Sequence, residues 1–256
     1  MRSQDTASSD NDSTLESDSD PDAAVFDAKE PMNRTISRTL AVDILDGRWK
    51  VGDAITLEDI QDRFGVSRTV ARETAKSLES VHAVSVRRRV GLIARDISEW
   101  AALDSQVIKW KLSSGRRREQ LLSLTQLREA VEPLAAGLAA AKAPLDVRAM
   151  MPLLADEMKQ AADAGKLDRF HELDITFHSL LLKNSGNDMF SALSDTISTI
   201  LKGRVELGLY PRTPRPEAMV AHIAAAHGVW KGDPAEARDA MRSIVEEVAD
   251  AISEGA

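Results

Sequence analysis

Cysteine is absent from the 256 residues, which rules out disulfides, thiolate metal sites and cysteine nucleophiles and suits a reducing cytoplasm. Aromatic residues make up only 4% of the chain, with one Tyr and five Phe, while Ala and Leu are plentiful; this composition points to packed helices rather than sheets. No apolar run approaches the roughly 18 residues that a membrane span requires, and the N-terminus has no signal-peptide-like apolar stretch. The expectation is a cytoplasmic protein with no membrane partner.

A formal net charge of -8 argues against a nucleic-acid partner until it is divided along the chain. Residues 1–31 carry -7, residues 32–96 carry +3 and residues 97–256 carry -4. The first segment, MRSQDTASSDNDSTLESDSDPDAAVFDAKE, is rich in Ser and Asp and has almost nothing to bury. It cannot offset the entropy of ordering and is expected to be a disordered acidic tail. The organisation expected is therefore tail (1–31), a basic domain (32–96) and a larger domain (97–256).

In the basic segment Ile36, Leu40 and Ile44 recur every fourth residue, the stripe of an amphipathic helix that ends before Gly47. After the turn GRWKVGD, Thr56 is placed to cap a second helix carrying Leu57, Ile60 and Phe64, which Gly65 ends. Ser67 caps a third helix after so short a gap that the pair forms a helix-turn-helix. On the third helix Ala71, Ala75 and Leu78 form the packing stripe, which turns Ser67, Arg68, Thr69 and Arg72 outward at the end that enters a major groove. The arginine fork matches guanine O6 and N7, and the hydroxyls suit phosphate oxygens. AVSVRRRVGLIAR then alternates around Gly91 as a hairpin would, with Arg87, Arg88 and Arg89 on a wing beside the helix. Each piece alone reads equally as a solvated basic surface; the ordered set points to double-stranded DNA.

From Ser98 onward helical patterning is broken only by short turns, giving segments 98–112, 118–141, 146–164, 167–184, 188–209, 217–231 and 234–253. Leu124, Leu127, Val131, Leu134 and Leu138 read as one apolar seam. The fold expected is mainly α: a winged helix-turn-helix of three helices and a small β-hairpin, then an antiparallel bundle of six or seven helices. Within the bundle, DITFH sets Asp174 and His178 four apart on one face, and His222 in a later helix could converge on them. One carboxylate and two imidazoles suit a divalent Zn, Ni or Mn, although Asp and His at that spacing alone are more often a hydrogen-bonded pair. His82, His171 and His227 read as surface or packing residues.

FGVSRTVARETAKSLE followed by a basic hairpin resembles the winged helix of GntR-type bacterial transcription regulators. LREAVEPLAAGLAAAKA, DITFHSLLLKNSGN and HIAAAHGVWKGDPAEARDAMRSI resemble, in order and spacing, the FCD sensor domain of the FadR branch of that family. The resemblance implies DNA contacts at Ser67, Arg68, Thr69, Arg72 and the wing, with Gly91 and its neighbours at the wing tip. It also implies a metal held by Asp174, His178 and His222, the fourth family ligand being replaced by Ile244. Arg128 resembles an inward arginine that pairs a ligand carboxylate; the alternative is an intrahelical bridge to Glu132. Asn187 and Arg204 are further effector-pocket candidates, Asn187 reading also as a helix cap.

ISEWAALDSQVIKWKL resembles the connector of sugar-acid regulators, which makes gluconate or another aldonate the expected effector. One winged helix covers only a half-site, so a homodimer is expected, acting as a repressor released by its sugar acid. The alternatives are a regulator of another organic acid (lactate, an acyl compound or a dicarboxylate) and a metal-dependent enzyme acting on a hydroxy acid.

Overall fold

The structure is a computed structural model that describes residues 30–206 and 215–254. Almost all of the acidic tail, residues 1–29, lies outside the described residues.

The basic segment forms three helices and a small sheet. Helix α1 (Met32–Leu45) buries Ile36, Leu40 and Ile44, as its fourfold spacing requires. In α2 (Leu57–Phe64) a capping box satisfies the first orphan donors: Thr56 Oγ1 accepts from the Asp59 amide, and Asp59 accepts from the Thr56 amide. Gly65 ends the helix in the left-handed conformation, with φ 63°. Helix α3 (Arg68–Ser80) starts at the Ser67 cap and packs through Ala71, Thr74, Ala75 and Leu78.

The wing has one strand more than the sequence suggested. Ala54–Ile55, inside the segment read as a turn, forms β1 and pairs with β3 (Gly91–Ala94), which also pairs with β2 (Val84–Arg87). Two residues are too few to show an alternation, so this strand exists only through its partner. Gly91 is not at the tip; it opens β3, and Arg88, Arg89 and Val90 form the turn. A Cβ on Gly91 would stand 2.2 Å from the Ile55 carbonyl oxygen at φ 110°, so the glycine permits β1 to close against the hairpin.

Residues 98–112 are not one helix. Asp96 caps a 3-10 turn at Ile97–Glu99, Trp100 is extended, and Asp104 caps α4 (Ser105–Leu112) by accepting from the Gln106 amide. Two aspartates able to hold local amides favoured two starts over one continuous helix.

The bundle comprises α5 (Arg117–Lys142), α6 (Leu145–Asp163), α7 (Leu167–Lys183), α8 (Asp188–Ala192), α9 (Ser194–Glu206), α10 (Pro216–Lys231) and α11 (Pro234–Glu254). The segment read as a single helix over 188–209 divides at Leu193 into α8 and α9, and its last three residues lie outside the described residues. The leucine seam expected on α5 is displaced: Leu134 is 43% exposed, whereas Leu124, Arg128, Glu132, Ala135, Ala136, Ala139 and Ala140 face inward. Small residues let α11 and α10 approach closely. At Gly228, inside α10, a Cβ would meet the Ala237 amide nitrogen at 2.5 Å, so only glycine lets α11 pack this close.

Helix α4 belongs to two cores at once. Val107 and Trp110, with Trp100, lie in the apolar cluster of the winged helix, whereas Ile108 and Leu112 lie in a cluster with Leu121, Leu124, Leu182, Ile197 and Leu201 of the bundle. The boundary expected at residue 97 is therefore bridged by packed side chains.

Candidate functional site

Two sites emerge, one on each side of α4. On the winged helix, Arg68, Thr69 and Arg72 are exposed along the first turns of α3, and Arg87, Arg88 and Arg89 are exposed on the hairpin. Ser67 is exposed and its hydroxyl accepts from the Val70 amide at 3.4 Å, so it already serves as the helix cap. Arg89 adopts φ 64°, a left-handed conformation at the turn that is uncommon for a side chain of this size. None of the arginines at 68, 72 and 87 to 89 has an ion-pair partner among the described residues. A helix N-terminus flanked by a basic hairpin, their arginines free of carboxylate partners among the described residues, can take up phosphates and reach base edges together.

The second site is buried in the bundle. Helix α7 places Asp174 and His178 one turn apart, and α10 brings His222 alongside; all three are buried, and their candidate ligand atoms lie within 4.8 Å of one another. Asp174 Oδ1 is 3.1 Å from His222 Nε2 and 3.4 Å from His178 Nε2. The far sides of both rings are held. The Ala218 carbonyl accepts from His222 Nδ1 at 2.7 Å, and Glu132 Oε2 lies 2.6 Å from His178 Nδ1. Both Nε2 atoms are consequently the ones presented to Asp174. Phe177 walls the site, its ring centroid 5.3 Å from that of His222 and 5.8 Å from that of His178.

Glu132 was missed as a site residue; its only sequence signal was its position four residues after Arg128. It accepts from Arg128 Nε at 2.7 Å and Nη2 at 3.2 Å, both side chains being 2% exposed. Arg128 thus makes the intrahelical bridge, and the same carboxylate reaches His178. Burial by itself would raise the Glu132 carboxyl, but the Arg128 guanidinium and His178 outweigh it and bring it down to about 2. Burial would lower His178, yet Glu132 and Asp174 on either side push it up to about 9. Asp174, whose carboxyl burial would raise, is held well below the usual carboxylate range by His178 and His222.

This donor set fits a divalent cation. Two imidazoles, one with Nδ1 bonded to a carbonyl and the other with Nδ1 close against a carboxylate, and both with Nε2 beside the Asp174 carboxylate, have outer-shell surroundings like those of metal-binding histidines. Ile244 is buried in the apolar cluster that also holds Phe177 and Met219, so hydrocarbon occupies the position where the family resemblance calls for a fourth donor. Asn187 caps α8 by accepting from the Met189 amide at 2.9 Å, the helix-cap alternative. Arg204 lies within α9, but its side chain is outside the described residues. His82 and His227 are exposed, and His171 is buried against Phe170.

A winged helix-turn-helix packed through one helix onto a helical bundle with a buried polar centre is the architecture of a DNA-binding regulator. Residues 33–93 match the bacterial regulatory proteins of the gntR family, and residues 123–247 match the FCD domain. The chain belongs to the GntR family of transcription regulators, in its FCD-containing branch, and is not an enzyme. It is similar to the galactonate operon transcriptional repressor of Escherichia coli strain K12, with 25% identity over 218 residues, 84% of this chain and 94% of that protein. A helix-turn-helix transcriptional regulator of Mycobacterium tuberculosis is 27% identical over 215 residues, covering 82% of this chain and 84% of that one. In fold the chain is similar to Lar, which controls expression of the Listeria monocytogenes agr system. The TM-score is 0.58 at 14% identity, over 89% of this chain and 99% of that one. The gntR domain is a module for double-stranded DNA. Among the described residues no helix is long and apolar enough to cross a membrane.

Proposed function

We propose that the protein is a homodimeric repressor whose hold on a two-fold operator is released when a small monocarboxylate, in the aldonate class, binds at a divalent metal in the bundle. The observation that carries this reading is the charge balance of the buried centre. Arg128, Glu132, Asp174 and protonated His178 together carry no net charge. Asp174, His178 and His222 would hold a divalent ion, and His178 would then offer its Nε2 lone pair and be neutral. Arg128, Glu132, Asp174 and the ion then sum to one positive charge in a dry site. Buried charge needs a partner, and one carboxylate supplies it, whereas a dicarboxylate would overshoot. When bound, the metal supplies a Lewis-acidic point for an anionic oxygen. The aldonate class rests in addition on the name of the Escherichia coli relative, a galactonate operon repressor.

For the operator, we assign Arg68 and Arg72 to base edges, Thr69 and Ser67 to phosphates, and Arg87, Arg88 and Arg89 to the backbone or minor groove. One winged helix covers a half-site, so a dimer is what reads a palindrome. The two sites communicate through packed elements. Helix α7 bears Asp174 and His178 and meets α9 at the Ser179 to Ser198 contact of 3.1 Å. Thr196 of α9 donates to the Leu103 carbonyl at 3.1 Å, just before α4, and α4 is shared by both cores. An effector that favours one seating of α7 therefore shifts the population of reading-head positions.

The test is thermal unfolding of the purified protein against aldonates, lactate, dicarboxylates and fatty acyl compounds, with and without chelator. At about 100 times the dissociation constant a ligand stabilises by roughly 2.7 kcal/mol. Stabilisation by one aldonate that chelation abolishes supports the proposal. A response to a dicarboxylate alone, or to none of the panel, removes the effector assignment.

A further inference from the structure

We propose that residues 1–29 of this chain dock on the arginine face of their own winged helix and compete there with DNA phosphate. The inference rests on the reading of that face as the DNA contact. Its first support is the distribution of unpartnered cations. Arg34, Arg68, Arg72, Arg87, Arg88 and Arg89 are all exposed and have no ion pair among the described residues. Most other surface arginines are engaged, as Arg48 and Arg63 hold Asp43, Arg169 holds Glu157 and Glu172, and Arg148 holds the Val229 and Trp230 carbonyls; Arg118 on the bundle is an isolated exception, whereas the winged helix gathers six.

The second support is complementarity. Residues 1–29 contain eight Asp or Glu against two Lys or Arg, a charge of -6, and few large apolar groups. The bundle segment, at -4 over residues 97–256, repels such a chain, whereas residues 32–96 at +3 attract it. A run of spaced carboxylates presents to arginine the same anionic acceptors that a phosphate backbone does.

The third is where the segment begins. Its last residue adjoins Glu30, which pairs with Arg38 at 3.2 Å at the start of α1. The first turn of α1 lies against the middle of α3: the Asn33 carbonyl accepts from Thr74 Oγ1 at 3.5 Å, and Thr74 is two residues from Arg72. Twenty-nine residues can reach at most about 95 Å, against about 20 Å for the whole of α3, so the arginine face lies within their range. The tether therefore delivers the carboxylates to the arginine face at an effective concentration on the order of millimolar.

The absence of cysteine permits a direct test on the full chain. A nitroxide attached at Ser19→Cys is expected to broaden the amide resonances of residues 67–73 and 87–91 at about 50 mM salt, and the broadening fades toward about 0.5 M. Mixing labelled and isotope-enriched chains separates contacts within a chain from contacts between copies. In parallel, the full chain with Asp10→Asn, Asp12→Asn, Asp18→Asn, Asp20→Asn and Asp22→Asn is expected to bind operator and random DNA about three- to tenfold more tightly at low salt. The difference should vanish at high salt.

Undisturbed resonances on the arginine face overturn the docking, and broadening seen only between copies overturns its intramolecular form. Equal DNA affinity of the two proteins at low salt overturns the competition. If Arg68→Ala with Arg72→Ala leaves DNA affinity intact while the broadening persists, it is the DNA reading of the face that fails, and the docking stands.

Discussion

Glu132 is the residue on which the buried centre turns, because it holds two cations at once. Removing one member of such a buried network leaves the others uncompensated, so Glu132→Gln is expected to destabilise the protein by about 3–5 kcal/mol, measured by urea unfolding. The same centre sets a pH dependence. In metal-free protein the folded His178 titrates at about 9, above its ordinary 6.5. Its contribution is therefore complete below 6.5 and is lost as pH rises through 9. Glu132 is lowered from 4.5 to about 2, so its contribution is complete above 4.5 and is lost as pH falls toward 2. Chelated protein should accordingly unfold at its highest temperature between pH 4.5 and 6.5 and lose stability on both sides. Metal affinity should rise with pH over the range in which His178 gives up its proton. A flat unfolding temperature from pH 6.5 to 9.5 in chelator would show that His178 does not carry the charge assigned to it.

At the scale of the element, α4 and the wing make distinct predictions. Trp110 packs edge-on against Trp100, with ring centroids 6.3 Å apart, inside the winged-helix core. Trp110→Ala is expected to cost about 3–5 kcal/mol and to loosen a helix whose side chains enter both the DNA-binding core and the bundle. DNA binding should persist at low temperature while its response to effector weakens, which an electrophoretic titration with and without ligand would reveal. Gly91→Ala would push a methyl into the Ile55 carbonyl at a positive φ, a strain of about 1–3 kcal/mol that detaches β1 or twists the wing. Lower operator affinity with the α3 contacts intact is the expected signature. Unchanged affinity would mean that the wing contributes nothing to DNA binding.

For the whole molecule, the proposed function depends on two charge systems of opposite design. The arginine face is solvent-exposed and unpaired, so substitutions there should alter binding without altering stability. Arg68→Ala or Arg72→Ala is expected to cost about 1–3 kcal/mol of operator discrimination at an unchanged unfolding temperature. Arg88→Ala should instead weaken binding to all DNA alike and reduce the salt slope by about 1. Footprints identical to those of the parent protein for both reading-helix variants would defeat the assignment of that helix. The buried centre follows the reverse rule: its groups are paired, and their replacement perturbs folding before it perturbs recognition.

Much of this was legible in the amino-acid sequence because it depends on neighbours along the chain. The caps at Thr56 and Ser67, the glycine stop at Gly65, the outward arginines of α3 and the pairing of Asp174 with His178 all follow from local periodicity and spacing. What local order cannot encode is which of two locally equivalent choices burial will select. The α5 face that turns inward carries Arg128 and Glu132 rather than Leu134, because the centre at Asp174 and His178 needs countercharge that leucine lacks. The strand at Ala54–Ile55 exists only because Gly91 admits it, and α4 joins both cores only because its two faces meet different partners. Fold class and the exposed arginines of α3 were thus properties of the sequence alone. The second role of Glu132, the convergence of His222 on Asp174 and the link between the sites were decided by tertiary packing, where residues far apart in the chain share one dry, low-dielectric space.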